Sequence, residues 1–287
     1  MAANLQLEQL TDSQLARYAE LIYDTAGIRI STQKKTMLSN RLRRRLKANQ
    51  LDDFDAYFQL LKGRLTDDPE WDEFLQEVST HETFMFRDAG HWAWLQSEYL
   101  PNLVRQTVVG ERPKRLRVWS AACSTGDEAY TIAACIAAAI PDCDQWRIEI
   151  LGTDIGIGAV RQAEQGEFSE RSMQLVPESV RQRYFDPIPG KFVRWKAKPL
   201  LAAWTSFQQH NLLQPLIERP FDLILVKNVL IYFDSAAKER ALANILPLLA
   251  PGGVLVTAAA EGVAGLVGAL EKAKPWLYRR PRNAHKR

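Results

Sequence analysis

From about residue 115 onward the chain alternates short apolar runs with segments of helical pattern, and this alternation constrains the fold more than any other feature. LRVWSAA (116–122) reads as a buried strand and DEAYTIAACIAAAI as the helix after it. WRIEILGTDI (146–155) is a second strand, followed by a helix over GAVRQAEQG. A weaker strand signal returns at TSFQQHNL (205–212). FDLILVKNVLIYF (221–233) begins as a strongly apolar strand. SAAKERALANILPLLAPGG reads as a helix ended by Pro-Gly-Gly, and VLVTAAA (254–260) as the next strand. Such a succession predicts an α/β domain with a doubly wound, mostly parallel sheet. Residues 167–204 break the rhythm with four prolines and several aromatics, and read as an inserted subdomain.

The chain before this point reads as helical throughout. Thr11 and Asp12 are candidate caps for QLARYAELIYDTAG, where Leu15, Tyr18, Ala19 and Ile22 share a face and Gly27 ends the helix. TQKKTMLSNRLRRRLKANQ carries Leu38, Leu42 and Leu46 as an apolar stripe, with basic residues on a broad opposite arc. DDFDAYFQLLKG, opened by Asp52 or Asp53, predicts a third helix, and DDPEWDEFLQEVST a fourth with Pro69 in its first turn. The expected organisation is an all-α domain over 1–85, a linker and connecting helix over 86–115, and the α/β domain over 116–287.

Composition narrows the class. Hydrophobic residues make up 46% and charged residues 25% of 287, the balance of a soluble globular protein. No run approaches the length of a membrane-spanning helix, and MAANLQLEQLTDSQLARY lacks the basic and apolar regions of a signal peptide. Cys123, Cys135 and Cys143 fit no CxxC spacing, and His81, His91, His210 and His285 are scattered, so no metal site is expected. These features predict a cytoplasmic protein with free thiols. The net charge of +3 is mild, but between Ile28 and Leu51 there is no acid, and Lys34, Lys35, Arg41, Arg43, Arg44, Arg45 and Lys47 all lie there. That window points to an acidic partner.

In open α/β sheets ligands sit beyond the carboxyl ends of the strands, which singles out SAACSTGDE after the first strand. Small residues allow close approach to the backbone, and Gly126 permits a tight turn. The same residues fit a capping box with Thr125 as the cap and Glu128 reaching back, so the spacing alone leaves a ligand loop and a helix start both open. Neither GxGxxG nor GxxxxGK[ST] is present, against NAD and ATP. Two acids at a helix N-terminus repel a pyrophosphate and suit a cationic ligand. Asp154 ends the second strand, where an acid commonly takes ribose hydroxyls or caps the next helix. Together the two strand ends suggest a positively charged nucleoside such as S-adenosylmethionine.

Over nearly its whole length the chain resembles the chemotaxis receptor methyltransferases, the CheR-like enzymes. Ala122-Cys123-Ser124-Thr125-Gly126-Asp127-Glu128-Ala129-Tyr130-Thr131 is similar to the family's ACSTGEEPYS motif. His81-Glu82-Thr83-Phe84-Met85-Phe86-Arg87 is similar to its N-x-T-x-F-F-R segment, and Phe221 to Phe233 to its F-D-x-I-x-C-R-N-V-L-I-Y-F. RLRRRL also has a counterpart in the family's N-terminal domain. The resemblance implies a class I methyltransferase-like fold with an all-α N-terminal domain and a small inserted β subdomain. It further implies S-adenosyl-L-methionine as cofactor, with S-adenosyl-L-homocysteine as product, and glutamate side chains of chemoreceptors as methyl acceptors.

Carried over by position, the resemblance sets Thr83 and Arg87 against the cofactor at the domain junction, Arg87 opposite the methionine carboxylate. Glu128 faces the amino group or the sulfonium side, and Asp154 the ribose. Asn211 and Leu212 lie beside the adenine, Ala122 and His81 at the loop, and Lys227 and Asn228 at the end of the fourth strand. Tyr232 falls near the transferred methyl, so Tyr232 and Arg87 are the candidate catalytic residues. Arg41, Arg44, Arg45 and Lys47 are candidates for docking on acidic methylation helices of receptors. The inserted region matches the subdomain that some members use to hold a receptor's C-terminal peptide. Departures from the pattern are His81 for asparagine, Asp127 for glutamate, Ala129 for proline, Lys227 for arginine, and AAAEG where GHSE often stands. These departures motivate an alternative, a cofactor-binding regulatory protein without turnover. RLRRRL motivates another, a nucleic-acid methyltransferase, although VKNVLIYF stands where a Pro-Pro-Tyr type motif is expected. No nucleic-acid partner and no membrane insertion are expected on the main reading.

Overall fold

The computed structural model describes residues 9–65 and 68–282. The opening residues read for a signal peptide, Asp67 at the head of the fourth predicted helix, and His285 lie outside the described residues. Four helices form the N-terminal unit. In α1 (Asp12–Ala26) Thr11 is the cap, and Gln14 reaches back to complete a capping box. A short 3₁₀ turn over Thr32–Lys34 leads into α2 (Lys35–Ala48). Asp53, not Asp52, caps α3 (Phe54–Lys62), and Asp68 caps α4 (Pro69–Val78), whose Pro69 lies in the first turn as expected. Leu15, Tyr18, Ile22, Leu38, Leu42, Leu46, Tyr57 and Phe74 close one core among these helices, while Ala19 is only partly buried. The leucine stripe of α2 therefore faces inward, and Arg44 and Lys47 of its basic arc face outward.

The stretch read as a linker and connecting helix, 86–115, packs on the sheet. It holds α5 (Ala89–Trp94), a π-helical turn over Leu95–Tyr99, and α6 (Leu100–Val108). Pro101 has no N–H to give and crowds the carbonyl four residues back, and a widened turn just before it relieves that clash. Trp92, Trp94, Leu95, Leu100 and Leu103 join the core on one face of the sheet.

The remaining elements follow in order: β1 (Arg115–Ala121), α7 (Asp127–Ala139), β2 (Arg147–Asp154) and α8 (Ile157–Gln165). Then come β3 (Glu167–Ser169), α9 (Glu178–Tyr184), β4 (Phe185–Ile188), β5 (Arg194–Ala197) and α10 (Pro199–Ala202). Last are β6 (Thr205–Gln209), β7 (Phe221–Val226), α11 (Ser235–Ile245), β8 (Leu249–Thr257), β9 (Glu271–Lys274) and β10 (Leu277–Arg279). The main sheet has the order β6-β2-β1-β7-β8-β10-β9, and β3-β5-β4 form a separate antiparallel sheet. β6, β2, β1, β7 and β8 run parallel, and β10 is antiparallel to both its neighbours. The sheet is doubly wound as predicted, and the chain reverses its direction of winding between β1 and β7.

Two elements differ from the sequence reading. Leu246 to Gly253 does not continue α11: the helix gives way to a 3₁₀ turn at Leu246–Leu248, and β8 begins at Leu249. Pro247 in that turn cannot extend the helix, and the pairing of β8 with β7 shifts register near Phe221. A Cβ on Gly253 would lie 2.7 Å from the carbonyl oxygen of Ala250, so this irregular strand start needs glycine there. β9 and β10 escape the sequence reading because they are four and three residues long and mixed in polarity.

The helical unit meets the α/β unit along a polar seam. Ala159 N–H donates to Gln76 Oε1 (3.0 Å), Gln209 Nε2 to Asp72 Oδ1 (2.7 Å), and Tyr23 O–H to Asp234 Oδ2 (2.9 Å). Ile28 pairs with Phe233 as a β-bridge, and Arg29 N–H donates to Tyr232 O (3.0 Å). These contacts flank the carboxyl ends of the central strands.

Candidate functional site

At those strand ends lies a cleft of about 940 Å³, including its open mouth. Its walls come from residues 79–87, from the turn after β1, from the end of β2, from residues 210–212 past β6, and from residues 227–233 past β7. His81, Thr83, Arg87, Ala122, Glu128, Asp154, Asn211, Leu212, Lys227, Asn228 and Tyr232 all line it. Segments far apart in sequence thus meet because each one follows a parallel strand or crosses the domain seam.

The turn after β1 is built differently from the sequence reading. Thr125 and Glu128 form no capping box: Gly126 is the residue before α7, at φ 89°, and no side chain caps the helix. Thr125 O–H instead donates to Asp127 Oδ2 (2.6 Å). A Cβ on Gly126 would lie 2.9 Å from that of Ala163, so glycine lets α7 start against α8. The two adjacent acids diverge. Asp127 is buried away from the cleft, bonded by Thr125 and Ser172, and burial raises its pKa. Glu128 turns into the cleft, accepts from Ser120 O–H (2.8 Å) and pairs with Lys227 Nζ (3.2 Å). The reading of two acids for one cation is thereby corrected to one acid.

Asp154 ties the turn after β1 to the turn after β2, accepting from Ser124 N–H (2.8 Å) and Gly156 N–H (2.9 Å). A carboxylate has about four lone-pair positions, so two remain for a ligand. His81 Nδ1 is 3.5 Å from Asp154 Oδ1. Lys227 is buried between Glu128 and Asp88 (3.3 Å), with its ammonium 4.9 Å from the centre of the Trp92 ring. Arg87 has no carboxylate partner among the described residues; it lies 5.6 Å over Phe84 and makes one long bond, 3.4 Å, to Glu82 O. Asn211 has one donor and one acceptor of its amide already engaged, by Thr25 O (2.7 Å) and Leu213 N–H (3.0 Å). The hydroxyl of Tyr232 makes no hydrogen bond among the described residues, and Lys34 Nζ stands 5.4 Å from its ring centre. Cys123 borders the cleft, but burial pushes its thiol well above the usual range and keeps it protonated, so it serves as small-residue packing.

Backbone strain marks the same place. Phe86, Asp88, Ala122, Ser124 and Asn228 all have φ between 52° and 66° without being glycine. Each such residue costs about 1–3 kcal/mol and persists where surrounding structure enforces it, commonly at functional sites. The sequence reading missed some of the lining: Ser79, Thr80, Trp92, Ser124 and His210. His210 Nε2 and Ser79 Oγ are buried without partners among the described residues, polar atoms that the wall offers to a ligand. Its position one residue past β6 was the available signal for His210.

The candidate docking residues have unequal surroundings. Arg45 is turned inward, 13% exposed, and pairs with Glu70 (2.6 Å) and Glu73 (3.3 Å). It holds α2 on α4 and is not a free surface cation, which narrows the basic stripe. Arg41 donates to Val78 O (2.7 Å) and Thr80 Oγ1 (3.3 Å), bracing the segment that enters the cleft wall. Arg44 is exposed but engaged with Glu77 (2.5 Å), and Lys47 is exposed.

The strand order, the reversal point and the acids beyond β1 and β2 define a class I S-adenosyl-L-methionine-dependent methyltransferase. Comparison with known proteins gives the family. The model of the CheR methyltransferase SAM-binding domain matches residues 81–276, and that of the CheR all-alpha domain residues 13–79. The chain belongs to the CheR methyltransferase family, and S-adenosyl-L-methionine is its cofactor. It is 34% identical to the chemotaxis protein methyltransferase of Salmonella typhimurium, over 92% of this chain and 89% of that protein. With the Escherichia coli chemotaxis protein methyltransferase it shares 33% identity, over 90% of this chain and 87% of that protein. The cleft fits such a cofactor by its donor set: one inward acid for a cation, a half-engaged aspartate for hydroxyls, an arginine with no carboxylate partner, and apolar Ile155 and Leu212 between them.

Proposed function

We propose that this protein transfers a methyl group from S-adenosyl-L-methionine to glutamate side chains of chemoreceptors, forming γ-glutamyl methyl esters during sensory adaptation. One observation carries the reading: a single cleft, lined by an acid after β1 and one at the end of β2, also holds a tyrosine hydroxyl with no hydrogen bond among the described residues, and Lys34 stands 5.4 Å from that ring. The names of the curated relatives supply the setting of chemotaxis.

Bound in the cleft, the cofactor supplies an electrophilic methyl on a sulfonium centre. Arg87 would hold its carboxylate, Glu128 its ammonium, and Asp154 its ribose hydroxyls, with the lone pairs that Ser124 and Gly156 leave open. Leu212 and Ile155 would offer apolar surface to the adenine, and His210 a ring nitrogen. The backbone of Ala122, held at φ 60°, lets the ligand approach closely. Lys227 fixes the Glu128 carboxylate and Asp88 fixes Lys227, so the acid keeps its aim. Thr83, His81 and Asn228 complete the wall.

The acceptor needs no strong base. A solvated glutamate titrates near ~4.3 and is already ionised at neutral pH. The protein's task is to hold one carboxylate oxygen in line with the methyl and its leaving sulfur, and such positioning is worth up to about 7–11 kcal/mol. Tyr232 orients the carboxylate through its free hydroxyl. Lys34, beside the Tyr232 ring, draws the acidic substrate to the mouth, and Arg44 and Lys47 extend that attraction along α2. The edges of the β3-β5-β4 sheet offer a place for an extended receptor peptide to pair.

The test is labelled methyl transfer onto a panel of receptor fragments. Label that is lost in mild base, and absent with Arg87→Ala, supports the ester reading. Absence of base-labile label from every fragment, with S-adenosylhomocysteine binding intact, would refute it.

A further inference from the structure

Three buried groups near the cleft take no part in this chemistry: Cys123, Asp127 and Glu261. The first stays protonated, and the second is held by two hydroxyls. Glu261 is different. It is fully buried at the end of a 3₁₀ turn, Ala259–Glu261, just past β8. Its Oε2 has no hydrogen-bond partner among the described residues. Val229 N–H donates to its Oε1 at 3.3 Å, and the amides of Asn228 and Ile231 lie near enough to favour its charge. Lys238 on α11 is the charged group that acts on it.

Those three amides belong to the turn that carries Asn228 and Tyr232 on the cleft wall. The turn is tight. Asn228 is at φ 59°, Tyr232 N–H donates to Val229 O (3.1 Å), and Phe233 N–H to Leu230 O (3.0 Å). Its internal bonds use the amides of Tyr232 and Phe233, and the Glu261 carboxylate accepts from that of Val229.

We propose that Glu261 is a positioning residue for methyl transfer: by holding the Val229 amide from behind, its carboxylate sets where Tyr232 and Asn228 stand against the reacting methyl. Glu261 itself does not line the cleft. The inference rests on the transferase reading. Burial pushes the carboxyl up to about 7 against the pull of the amides and Lys238, so its ionisation changes within the working range. The ionised form draws the amides most strongly, and a proton on the open Oε2 weakens the grip.

Two measurements on the full chain test this. Turnover should fall by about 10²-fold in Glu261→Ala, the scale of an ångström misplacement, with KM for the receptor fragment changed less than about threefold. Glu261→Gln, which keeps one carbonyl acceptor and cannot ionise, should recover most of the turnover and lose an inflection near pH 7 present in the wild type. Amide hydrogen exchange of residues 228–233, read without substrate, should quicken in Glu261→Ala while that of β7 stays slow. Should Glu261→Ala fail to fold, Glu261→Gln alone decides through its pH profile. Unchanged turnover together with unchanged exchange at 228–233 would overturn the proposal, as would an identical pH profile in Glu261→Gln. A wild type that exchanges as described but never methylates would sink the transferase reading and leave the clamp standing.

Discussion

Two buried glutamates show how differently the two units of this protein use a charge. Glu70, in the helical unit, meets Arg45 through two nitrogens and accepts from Tyr57 O–H (2.7 Å). Burial works to raise its pKa, but Arg45 and Tyr57 more than offset that, and it titrates below its ordinary value. Glu261, behind the cleft, has amide dipoles and a distant lysine, and burial wins. The first site is closed and complete. The second is left marginal, next to a loop that must be shaped for chemistry. A full partner makes burial a matter of stability, whereas dipoles alone make ionisation and loop geometry depend on each other.

The largest effect that would break this contrast comes from Glu70→Ala. Leaving Arg45 with Glu73 alone, and Tyr57 O–H without its acceptor, should cost about 3 kcal/mol in urea unfolding, with S-adenosylhomocysteine affinity of the folded fraction unchanged. Replacing both partners by apolar residues of similar volume should recover most of that loss. A small cost for the single change would mean that the cluster is not the closed site described.

At the cleft the ranking reverses, with binding lost and stability kept. Arg87→Ala should weaken S-adenosylhomocysteine by about 10²-fold in calorimetry, in line with the loss of a charge-assisted pair, and leave the unfolding midpoint where it was. Asp154→Ala is a less clean probe, because Ser124 and Gly156 N–H lose their acceptor. It should lose affinity and also about 1–3 kcal/mol of stability.

The pH dependence of unfolding separates the two glutamates by sign. Between its ordinary value of 4.5 and about 7, folded Glu261 holds a proton that the unfolded chain has released. Its contribution to stability therefore falls as pH rises through that window, by on the order of 3 kcal/mol, and is flat above it. Glu70, held low, contributes fully above its ordinary range and loses its contribution as pH falls below it. Glu261→Gln should remove the first slope and leave the second. The smallest effect is expected from Lys227→Arg, which keeps a cation between Glu128 and Asp88 and should hold affinity within about threefold. A large loss there would show that the compact ammonium over Trp92 matters more than its charge.

Much of the cleft was legible because its residues sit where parallel strands end, and pattern alone locates strand ends. The apolar runs of β1 and β2 marked Ala122 and Asp154 without any contact being known, whereas Asn228 came only with the family resemblance. Other features were not legible for definite reasons. Asp127 and Glu128 are adjacent acids, and only the direction in which α7 leaves its turn decides that one faces the cleft and the other the inserted subdomain. Thr125 and Glu128 have capping spacing, yet Lys227, from another strand, claims the glutamate. Arg45 looks like its neighbours in RLRRRL, but it falls on the side of α2 that meets α4. Glu261 was noted only within AAAEG, as a departure from a motif, since nothing local shows that a glutamate in a short turn is buried.

The sequence by itself determined the alternation of elements, the sheet they make and the segments that end at its carboxyl edge, because periodicity and turn chemistry are local. Which charges face one another was decided only by the tertiary structure. Charge pairing depends on distances of 3–4 Å between residues a hundred or more positions apart in many cases, as between Asp88 and Lys227, or nearly so, as between Glu128 and Lys227. Burial, which sets whether a carboxyl such as Glu70 or Glu261 keeps its charge, is likewise a property of the packed whole.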